Sequence, residues 1–225
     1  FVDEMPPAHV DAASDTGYYG GGPGMQEQKS RFDAASFNAT GGYGSPGWKR
    51  DEFVKSVNDA FGHHGGDLVL KRLAAILQSA TRDTDTVVRW GGEEFLVVAR
   101  NANRQDGALL AERIRSQVEV CSFDVGGGQT LKRTCSLGFT FFPFLSEHPS
   151  FMPWEVAVDL ADHCLYAAKR GGRNAWVGLA APLDTEPQSL GESPTLHIPD
   201  LLTKGVLELK TSLAAATALD WDLNG

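Results

Sequence analysis

Two adjacent glutamates, Glu93 and Glu94, interrupt an otherwise apolar stretch of the sequence. They directly follow Gly91 and Gly92, and a short apolar run typical of a β-strand lies on each side. Because glycine reaches positive φ at little cost, the pattern predicts a β-hairpin with both carboxylates at its tip. Such a tip is either an ordinary solvated turn or a pair of carboxylates that a rigid backbone holds for a hard cation.

A second group of polar side chains surrounds a glycine-rich bend. Asn58 precedes the bend and Asp67 follows it, within the segment KSVNDAFGHHGGD. A carboxylate and an amide together can recognise guanine, because the carboxylate accepts from the ring N–H and the exocyclic amine while the amide complements the remaining edge. The alternative is structural, since asparagine and aspartate are also common at helix ends and in turns.

Two cations, Lys169 and Arg173, flank the pair of glycines at which a predicted helix ends. Cations near a helix C-terminus often do no more than offset the helix dipole. Lysine and arginine side chains are also strong donors to phosphate groups. The sequence leaves both interpretations of these two residues open.

The spacing of apolar residues indicates which elements must position these groups. It predicts three amphipathic helices, at residues 66–79, 105–120 and 154–168. The apolar residues that define them are Val69, Leu73 and Ile76, then Leu110, Ile114 and Val118, then Trp154, Val158, Ala161, Leu165 and Ala168. The segment TLKRTCSLGFTFFPF predicts one or two strands, and NAWVGL predicts a closing strand. Helices that alternate with strands around a central hairpin predict an α/β (α+β) domain in which helices cover a mixed sheet.

Composition divides the chain into three parts. Residues 1–48 are rich in Gly, Ser, Ala and Pro, which indicates a flexible or irregular segment. Residues 49–180 carry the helix and strand patterns and form the predicted domain. Residues 181–225 are predicted to be a linker, from Pro182 to Pro199, followed by an amphipathic docking or pairing helix. Four apolar residues at helical spacing define that helix: Leu202, Val206, Leu209 and Leu213.

Length, charge and cysteine content argue against several classes of protein. The chain has 225 residues, a formal net charge of −9 and no long basic stripe, which argues against nucleic-acid binding. No apolar stretch approaches the length that spans a bilayer, and no signal-peptide pattern is seen. The three cysteines share no metal-ligand spacing and are expected to be reduced and buried. These features predict a cytoplasmic domain, either alone or as the output part of a longer, membrane-bound sensor.

Four segments resemble, in the same order and at the same spacing, the GGDEF domain of diguanylate cyclases. They are KSVNDAFGHHGGD, RDTDTVVRWGGEEF, SLGFTFF and ADHCLYAAKRGGRNAW, and the resemblance covers roughly residues 50–178. It implies a mixed sheet with surrounding helices, similar to the palm of nucleotidyl cyclases and polymerases. It also implies that the protein condenses two GTP molecules into cyclic di-GMP with release of pyrophosphate, each GTP being held by one half of a homodimer.

The resemblance assigns roles to the residues singled out above. It implies that Glu93 and Glu94 hold Mg²⁺, or Mn²⁺, over the GTP phosphates. Glu93 can also serve as the base for the attacking hydroxyl, and the sequence does not separate base from ligand. Asn58 and Asp67 fall on the guanine-reading positions of the family. The remaining substrate contacts implied by the family pattern are Gly91, Gly92, Lys169 and Arg173.

The resemblance also implies a regulatory site. Arg82 and Asp85 form the Arg-x-x-Asp motif that in this family precedes the hairpin turn and binds the product as an inhibitor. Arg113 matches a further arginine that often belongs to this inhibitory site. Arginine suits the task because its planar guanidinium pairs with guanine edges and phosphates. The alternative is an ordinary ion pair within the loop.

The region before the first motif departs from the family pattern. Where the family carries its first metal-binding aspartate, this chain has Arg50, whose charge would repel Mg²⁺. Asp51, one residue later, is the candidate substitute ligand. The preceding segment, GGYGSPGW, has poor strand propensity. Loss of a first strand there would leave the centre of the sheet unpaired.

Three functions are therefore considered. The first, which we favour, is a diguanylate cyclase with product inhibition. The second is a catalytically degenerate GGDEF module that signals by binding cyclic di-GMP or GTP. The third is a dimerisation or scaffolding domain with neither activity. Arg50 argues against the first function, and the intact motif of Arg82 and Asp85 argues against the third.

Overall fold

The computed structural model describes residues 52–191, 194–214 and 219–221. The predictions for residues 1–48, Arg50 and Asp51 fall outside these ranges and stay predictions. Within the described ranges, no helix combines the length and the apolar character that crossing a bilayer requires.

The first described helix, α1, runs from Glu52 to Ala80. Gly62 breaks it, because its φ of 74° and ψ of 169° are not helical, and glycine adopts positive φ more readily than any other residue. This break confirms the predicted glycine-rich bend. Beyond it Val69 and Ile76 are buried, as the helical spacing predicts.

Strands β1 (Thr86–Gly91) and β2 (Glu94–Val98) form an antiparallel hairpin. The last residue of β1 lies opposite the first residue of β2, so a two-residue turn of Gly92 and Glu93 connects the strands. Gly92 has a φ of 47°, which suits the first position of such a turn. The predicted hairpin, with both glutamates at its tip, is confirmed.

Helix α2 (Asp106–Val120) follows as predicted and buries Ile114 and Val118. A second hairpin consists of β3 (Ser122–Gly126), which the sequence analysis missed, and β4 (Gln129–Lys132), which lies at the start of the segment TLKRTCSLGFTFFPF that was predicted to contain one or two strands. β3 packs against α1 and buries alternate residues. The alternation extends over only five residues, which is too short to stand out from the surrounding sequence.

A mixed three-stranded sheet completes the described strands. It consists of β5 (Leu137–Phe139), β6 (Trp176–Ala180) and β7 (Glu208–Thr211), in the order β5-β6-β7. β5 and β6 are parallel, whereas β6 and β7 are antiparallel. The strand predicted at NAWVGL is therefore confirmed as β6, which is the middle strand of this sheet.

Helix α3 (Trp154–Arg170) covers this sheet and ends before Gly171, as predicted. Its most buried stripe lies beside the predicted one and consists of Ala157, Leu160, His163, Cys164, Ala167 and Ala168. The predicted stripe is mostly half-buried, and within it Ala161 and Leu165 approach β5. Two adjacent stripes of α3 pack because the helix contacts both the sheet and the segment that follows β6.

At Gly138, the backbone of β5 lies close to the backbone of α3. A Cβ atom at this position would overlap the carbonyl oxygen of Ala161 and the amide nitrogen of Leu165. Because both of those atoms belong to the helix backbone, no rotamer change can relieve the overlap. The glycine is therefore required by packing.

The segment after β6 is packed against the domain, so the prediction of a linker from Pro182 to Pro199 is wrong. It contains α4 (Pro187–Leu190), a 3₁₀ helix (Pro194–His197) and the start of α5 (Ile198–Thr203). Leu190 and Ile198 are fully buried in the hydrophobic cluster around α3 and β6. Proline and serine content suggested an exposed linker, but these apolar side chains anchor the segment.

The predicted C-terminal docking helix is also wrong. Leu202 lies in α5, whereas Leu209 lies in β7. Gly205, with a φ of 69°, turns the chain between the two elements. The apolar residues at helical spacing pack on one hydrophobic cluster without belonging to one helix. The domain boundary at residue 180 stays a prediction.

The β1–β2 hairpin is not hydrogen-bonded to the three-stranded sheet within the described residues. One edge of β2 and one edge of β5 therefore have no partner strand in this part of the chain. The apolar core divides in the same way, with one cluster around α1, α2 and β3 and another around α3 and β6. The fold is a mixed α/β arrangement of helices around small sheets, and the single central sheet of the prediction is not formed by the described strands alone.

Candidate functional site

The hairpin tip is braced by Arg89. Its guanidinium donates to the carbonyl oxygen of Gly92 through Nε, at 2.9 Å, and through Nη2, at 2.7 Å. Glu93 lies in the turn and Glu94 begins β2, and both residues are half-buried. The sequence analysis did not single out Arg89. Its two hydrogen bonds to one turn carbonyl restrict the backbone that carries the glutamates.

The hairpin tip lies near α3. The pKa of Asp162 is raised to about 7, mainly by burial and further by the charges of Glu94 and Asp159, while the Lys169 ammonium opposes the shift. Glu94, Asp162 and Lys169 are therefore close enough for their charges to interact. The structure thus brings a predicted metal ligand and a predicted phosphate contact into one region. Asp162 escaped the sequence analysis because it lies in a helix that was recognised only by its apolar residues.

The carboxylates at the tip fit part of a cation site. Within the described residues, no three His, Cys, Asp or Glu side chains are grouped so that they could hold a metal ion by themselves. Mg²⁺ commonly takes one or two carboxylates and completes its shell with substrate phosphates and water. Glu93 and Glu94 match such a partial ligand set, which suits a cation that binds together with a phosphorylated substrate.

Asn58 carries a buried acceptor atom. Its Oδ1 is inaccessible to solvent and has no hydrogen-bond partner among the described residues. Buried polar atoms are normally satisfied, so this acceptor needs a donor that the described residues do not supply. Asp67 lies on the other side of the break at Gly62 and is exposed. The two predicted guanine-reading residues are thus on one broken helix.

The loop after α3 fixes the backbone of Arg173. The amide of Gly171 donates to the carbonyl of Ala167 at 2.8 Å, and the amide of Arg173 donates to that of Ala168 at 3.1 Å. These bonds end the helix, and Gly172, with a φ of 127°, allows the reversal. The Arg173 side chain is exposed on this constrained loop. Lys169 lies in the last turn of α3 and is half-buried.

The three residues of the predicted inhibitory site, Arg82, Asp85 and Arg113, line one cavity of about 190 Å³. The lining also contains Arg100, at the end of the β1–β2 hairpin, which the sequence analysis missed. No motif pointed to Arg100, because its place in the cavity depends on how α2 folds back against the hairpin. The cavity therefore combines three arginines with few acidic side chains, Asp85 and Asp106.

Asp85 holds the loop that carries Arg82. Its Oδ2 accepts from the backbone amide of Arg82 at 2.9 Å, and its Oδ1 accepts from the backbone amide of Arg100 at 3.0 Å. Within the described part of the chain, no ion pair joins Arg82 to Asp85. Asp85 therefore binds backbone amides rather than the Arg82 guanidinium, which differs from the alternative of an ordinary loop ion pair. The Arg82 side chain is exposed and lines the cavity.

Comparison with known proteins identifies the family of this chain. Residues 50–175 match the family described as diguanylate cyclase, GGDEF domain. The chain is 43% identical over 123 residues to YhcK of Bacillus subtilis (strain 168) and 39% identical over 123 residues to diguanylate cyclase A of Treponema denticola. Each match covers 55% of this chain, and 33% and 32% of those proteins respectively.

One solved structure with a similar sequence is that of diguanylate cyclase SiaD from Pseudomonas aeruginosa in complex with its activator SiaC. It is 36% identical, with 55% of this chain and 45% of that chain covered and a TM-score of 0.48. The chain spans about a third of the length of the two curated relatives above. The family match, however, extends over more than half of the chain and includes the hairpin tip, α1, α2 and α3. The chain therefore belongs to the GGDEF family of diguanylate cyclases.

Proposed function

We propose that the protein is a diguanylate cyclase, which condenses two GTP molecules into cyclic di-GMP and releases two pyrophosphates. Each GTP would be held by one copy of a homodimer. The observation that carries the proposal is that Glu94 of the hairpin and Lys169 of α3 both lie close enough to Asp162 to act on its charge. An anionic ligand set beside a cation suits a triphosphate that binds together with a divalent metal ion.

The guanine base is assigned to α1. Asn58 supplies a buried acceptor that lacks a partner within the described residues, and Asp67 supplies a carboxylate beyond the helix break. A carboxylate accepts from the N–H groups of guanine, whereas adenine presents a different pattern of donors and acceptors. GTP is therefore the nucleotide that these groups would select.

The phosphates are assigned to the hairpin tip and to the end of α3. A Cβ atom at Gly91 would meet nothing within 4 Å, so packing within the described protein does not explain this glycine. Open space at Gly91 suits a ligand that approaches the backbone closely. Lys169 and Arg173 would then offset the charge of the triphosphate.

The proposed chemistry is attack of the 3′-oxygen of one GTP on the α-phosphorus of the other, which breaks the bond to pyrophosphate. A bound Mg²⁺ or Mn²⁺ ion would offset negative charge on the phosphates. Glu93 and Glu94 would hold that ion. The turn carboxylate of Glu93 could also accept the proton of the 3′-hydroxyl.

Product control is assigned to the cavity lined by Arg82, Asp85 and Arg113. Arginine forks pair with guanine edges and with phosphates, and cyclic di-GMP offers two of each. The cavity lies between the hairpin and α2, away from the turn that carries the glutamates. Binding there would inhibit the enzyme from a separate site.

Turnover of GTP tests the proposal directly. Purified protein would be incubated with GTP and Mg²⁺ or Mn²⁺, and cyclic di-GMP would be quantified by chromatography. We expect metal-dependent product from the wild type and from Glu147→Gln, an exposed loop control, but not from Glu94→Gln. Equal product from Glu94→Gln would refute the assigned metal site.

A second function is favoured by one observation. All lining residues of the cavity proposed to bind cyclic di-GMP lie within the described ranges, whereas Arg50 falls where the family pattern has its first metal-binding aspartate. A degenerate module that signals by binding cyclic di-GMP would need the cavity alone. Saturable cyclic di-GMP binding, in a protein that makes no product at any metal concentration tested, would favour this function over catalysis.

A further inference from the structure

The loop after α3 is held by a hydrogen-bond network centred on Arg115 of α2. Its guanidinium donates to Glu112 from Nε at 2.9 Å and from Nη2 at 2.7 Å. Its remaining nitrogen, Nη1, donates to Oε2 of Glu119 and to Oδ1 of Asn174, each at 3.0 Å. All three guanidinium nitrogens are engaged, and the side chain is only 15% exposed.

The partners of Arg115 are themselves fixed. Asn174 donates from Nδ2 to Oε1 of Glu119 at 2.6 Å, and Trp176 donates from Nε1 to Oε2 of Glu112 at 3.0 Å. The hydrogen bond from Arg115 holds the pKa of Glu112 below its usual value. The network therefore stays charged at neutral pH and ties α2 to the residues on either side of Ala175.

This network acts on a strained part of the backbone. Arg173 and Asn174 have φ values of 60° and 45°, so two consecutive residues other than glycine adopt the left-handed conformation. Such residues are uncommon and persist only where the surroundings hold them. The Arg173 amide is bound to Ala168 on one side. The Asn174 side chain is bound to Arg115 and Glu119 on the other.

We propose that Arg115 is a positioning residue for the triphosphate of the substrate. Through Asn174 it holds the backbone of Arg173 in the left-handed conformation that presents the Arg173 side chain to the phosphates. The inference rests on the proposed phosphate contact of Arg173. An ion pair between neighbouring residues of one helix, such as Arg115 and Glu112, contributes little by itself, but the added bond from Arg115 to Asn174 restrains a loop conformation.

Arginine is suited to this position because it contacts three side chains at once. Its planar fork offers donors in fixed directions, whereas a lysine ammonium is a point charge on a flexible stem. Arg115→Lys should therefore behave like Arg115→Met. Asn174→Gly should weaken triphosphate binding less than Asn174→Ala, because glycine keeps access to positive φ although it loses the hydrogen bonds.

A double-mutant cycle tests the proposal. Binding of a non-hydrolysable GTP analogue with Mg²⁺ would be measured by calorimetry for the wild type, Arg115→Met, Arg173→Ala and the double variant. We expect Arg115→Met to weaken binding roughly tenfold, because small misplacements of a contacting group are costly. In the Arg173→Ala background, Arg115→Met should weaken binding less than about twofold, because the side chain that Arg115 positions is already absent.

Two controls separate positioning from stability. GMP binding should be the same in the wild type and Arg115→Met, because the lost contact is to the outer phosphates. Arg104→Met, which removes a cation from the loop before α2, should leave binding of the GTP analogue unchanged. A general loss of folding would instead weaken GMP and the GTP analogue together, and that result would overturn the proposal.

The outcomes distinguish this inference from the proposed function. If the wild type binds the GTP analogue and the two substitutions act additively, Arg115 is a structural residue and the inference is wrong. If the wild type binds no GTP analogue, the proposed function fails and the inference falls with it. Equal weakening by Arg115→Met in both backgrounds would be sufficient to reject the positioning role.

Discussion

The hairpin tip and the arginine-lined cavity lie at opposite ends of the same hairpin and differ in how completely the described residues form them. The cavity is lined by residues between Arg82 and Arg113, all from consecutive elements. The tip region combines Glu94 with Asp162 and Lys169 of α3, which are distant in sequence. A site built from neighbouring segments needs few correct packing contacts, whereas a site built from distant segments depends on the whole arrangement of helices and strands.

The surroundings of the two sites explain this difference. Asp85 accepts two backbone hydrogen bonds and so fixes the cavity wall locally. At the hairpin that carries the tip, by contrast, one edge of β2 has no partner strand within the described residues. We therefore expect that substrate and metal complete the proposed site at the tip, whereas the proposed cyclic di-GMP site is a cavity that exists before the ligand binds.

The largest expected effect is at the tip. Glu93→Gln and Glu94→Gln should each lower metal-dependent formation of cyclic di-GMP by roughly 100-fold or more, because a bound cation supplies several kcal/mol of transition-state stabilisation. Neither substitution removes apolar packing, so the free energy of unfolding should change by less than about 0.5 kcal/mol. Turnover and urea denaturation would be measured on the same preparations.

Cyclic di-GMP binding at the cavity is the control for this experiment. It should be the same in both glutamine variants, because neither glutamate lines the cavity. If product formation and cyclic di-GMP affinity fell together, the two sites would not be separate.

The second expected effect concerns the packing of α3 against β5. Gly138→Ala would place a Cβ atom against the backbone of Ala161 and Leu165, so α3 would have to move away from β5. We expect a loss of about 3 kcal/mol in the free energy of unfolding, at the upper end for overpacking. Ser136→Ala, just before β5, should cost less than about 1 kcal/mol.

This substitution also separates the two sites. The cavity is lined by residues of the hairpin, the following loop and α2, and none of its lining belongs to α3. At temperatures where Gly138→Ala remains folded, its GTP turnover should fall while cyclic di-GMP binding persists. Retention of full turnover would show that the position of α3 is not critical for the tip.

A third prediction addresses the cavity itself. Arg82→Ala should weaken cyclic di-GMP binding by about 2 kcal/mol, the range for a hydrogen bond from a charged group. Because Asp85 binds the backbone amide of residue 82, the loop should keep its conformation in the variant. Isothermal titration of cyclic di-GMP would measure the change. Lys71→Ala, an exposed cation on α1, is the matched control and should bind like the wild type.

In an active protein, Arg82→Ala should also relieve product inhibition without changing the initial rate. Identical titrations for Arg82→Ala and the wild type would remove Arg82 from the ligand site. The Asp85 contacts would then be the whole function of the motif.

The sequence predicts the parts of this fold that have long periodic patterns. The helical spacing of Val69 and Ile76, and of Ile114 and Val118, corresponds to real buried faces. Strand β3 is too short to produce such a pattern. Leu202 and Leu209 illustrate the opposite error, since their helical spacing arises by coincidence in a helix and a strand.

Site residues were predictable where a motif carried them. The hairpin tip follows from Gly92 and the two glutamates, since a two-residue turn has few solutions. Asp162, Arg100 and Arg115 were missed, because their importance lies in what they approach in space. No periodicity or spacing records such tertiary neighbours.

A fourth prediction tests the buried acceptor of Asn58 in α1. Asn58→Ala should weaken GTP binding by about 1.5 kcal/mol, the range for a lost hydrogen bond at a buried group. In the wild type, ATP should bind much more weakly than GTP, because a site built for one base leaves polar groups unpaired with another. Calorimetry with both nucleotides would measure the selectivity. Gln78→Ala changes an exposed residue of the same helix and is the control. Equal affinities of the wild type for ATP and GTP would refute the guanine assignment.

The smallest expected effect separates the two contributions of Arg100 to the cavity. Its backbone amide donates to Asp85, and its side chain contributes to the lining. Arg100→Ala removes only the second contribution, so the loop should keep its shape. We expect cyclic di-GMP binding to weaken by about 1 kcal/mol, less than for Arg82→Ala, because the side chain is half-buried and less able to reach a ligand.

Arg100→Lys distinguishes charge from geometry at this position. A lysine keeps the positive charge of the cavity but not the planar fork, so its affinity should lie between those of Arg100→Ala and the wild type. The three titrations would be compared at two salt concentrations, because a purely electrostatic contribution weakens as screening increases. If Arg100→Ala binds cyclic di-GMP as tightly as the wild type does, the side chain belongs to the packing of the hairpin alone. Arg82 and Arg113 would then be the only arginines among the cavity residues described here that hold the ligand.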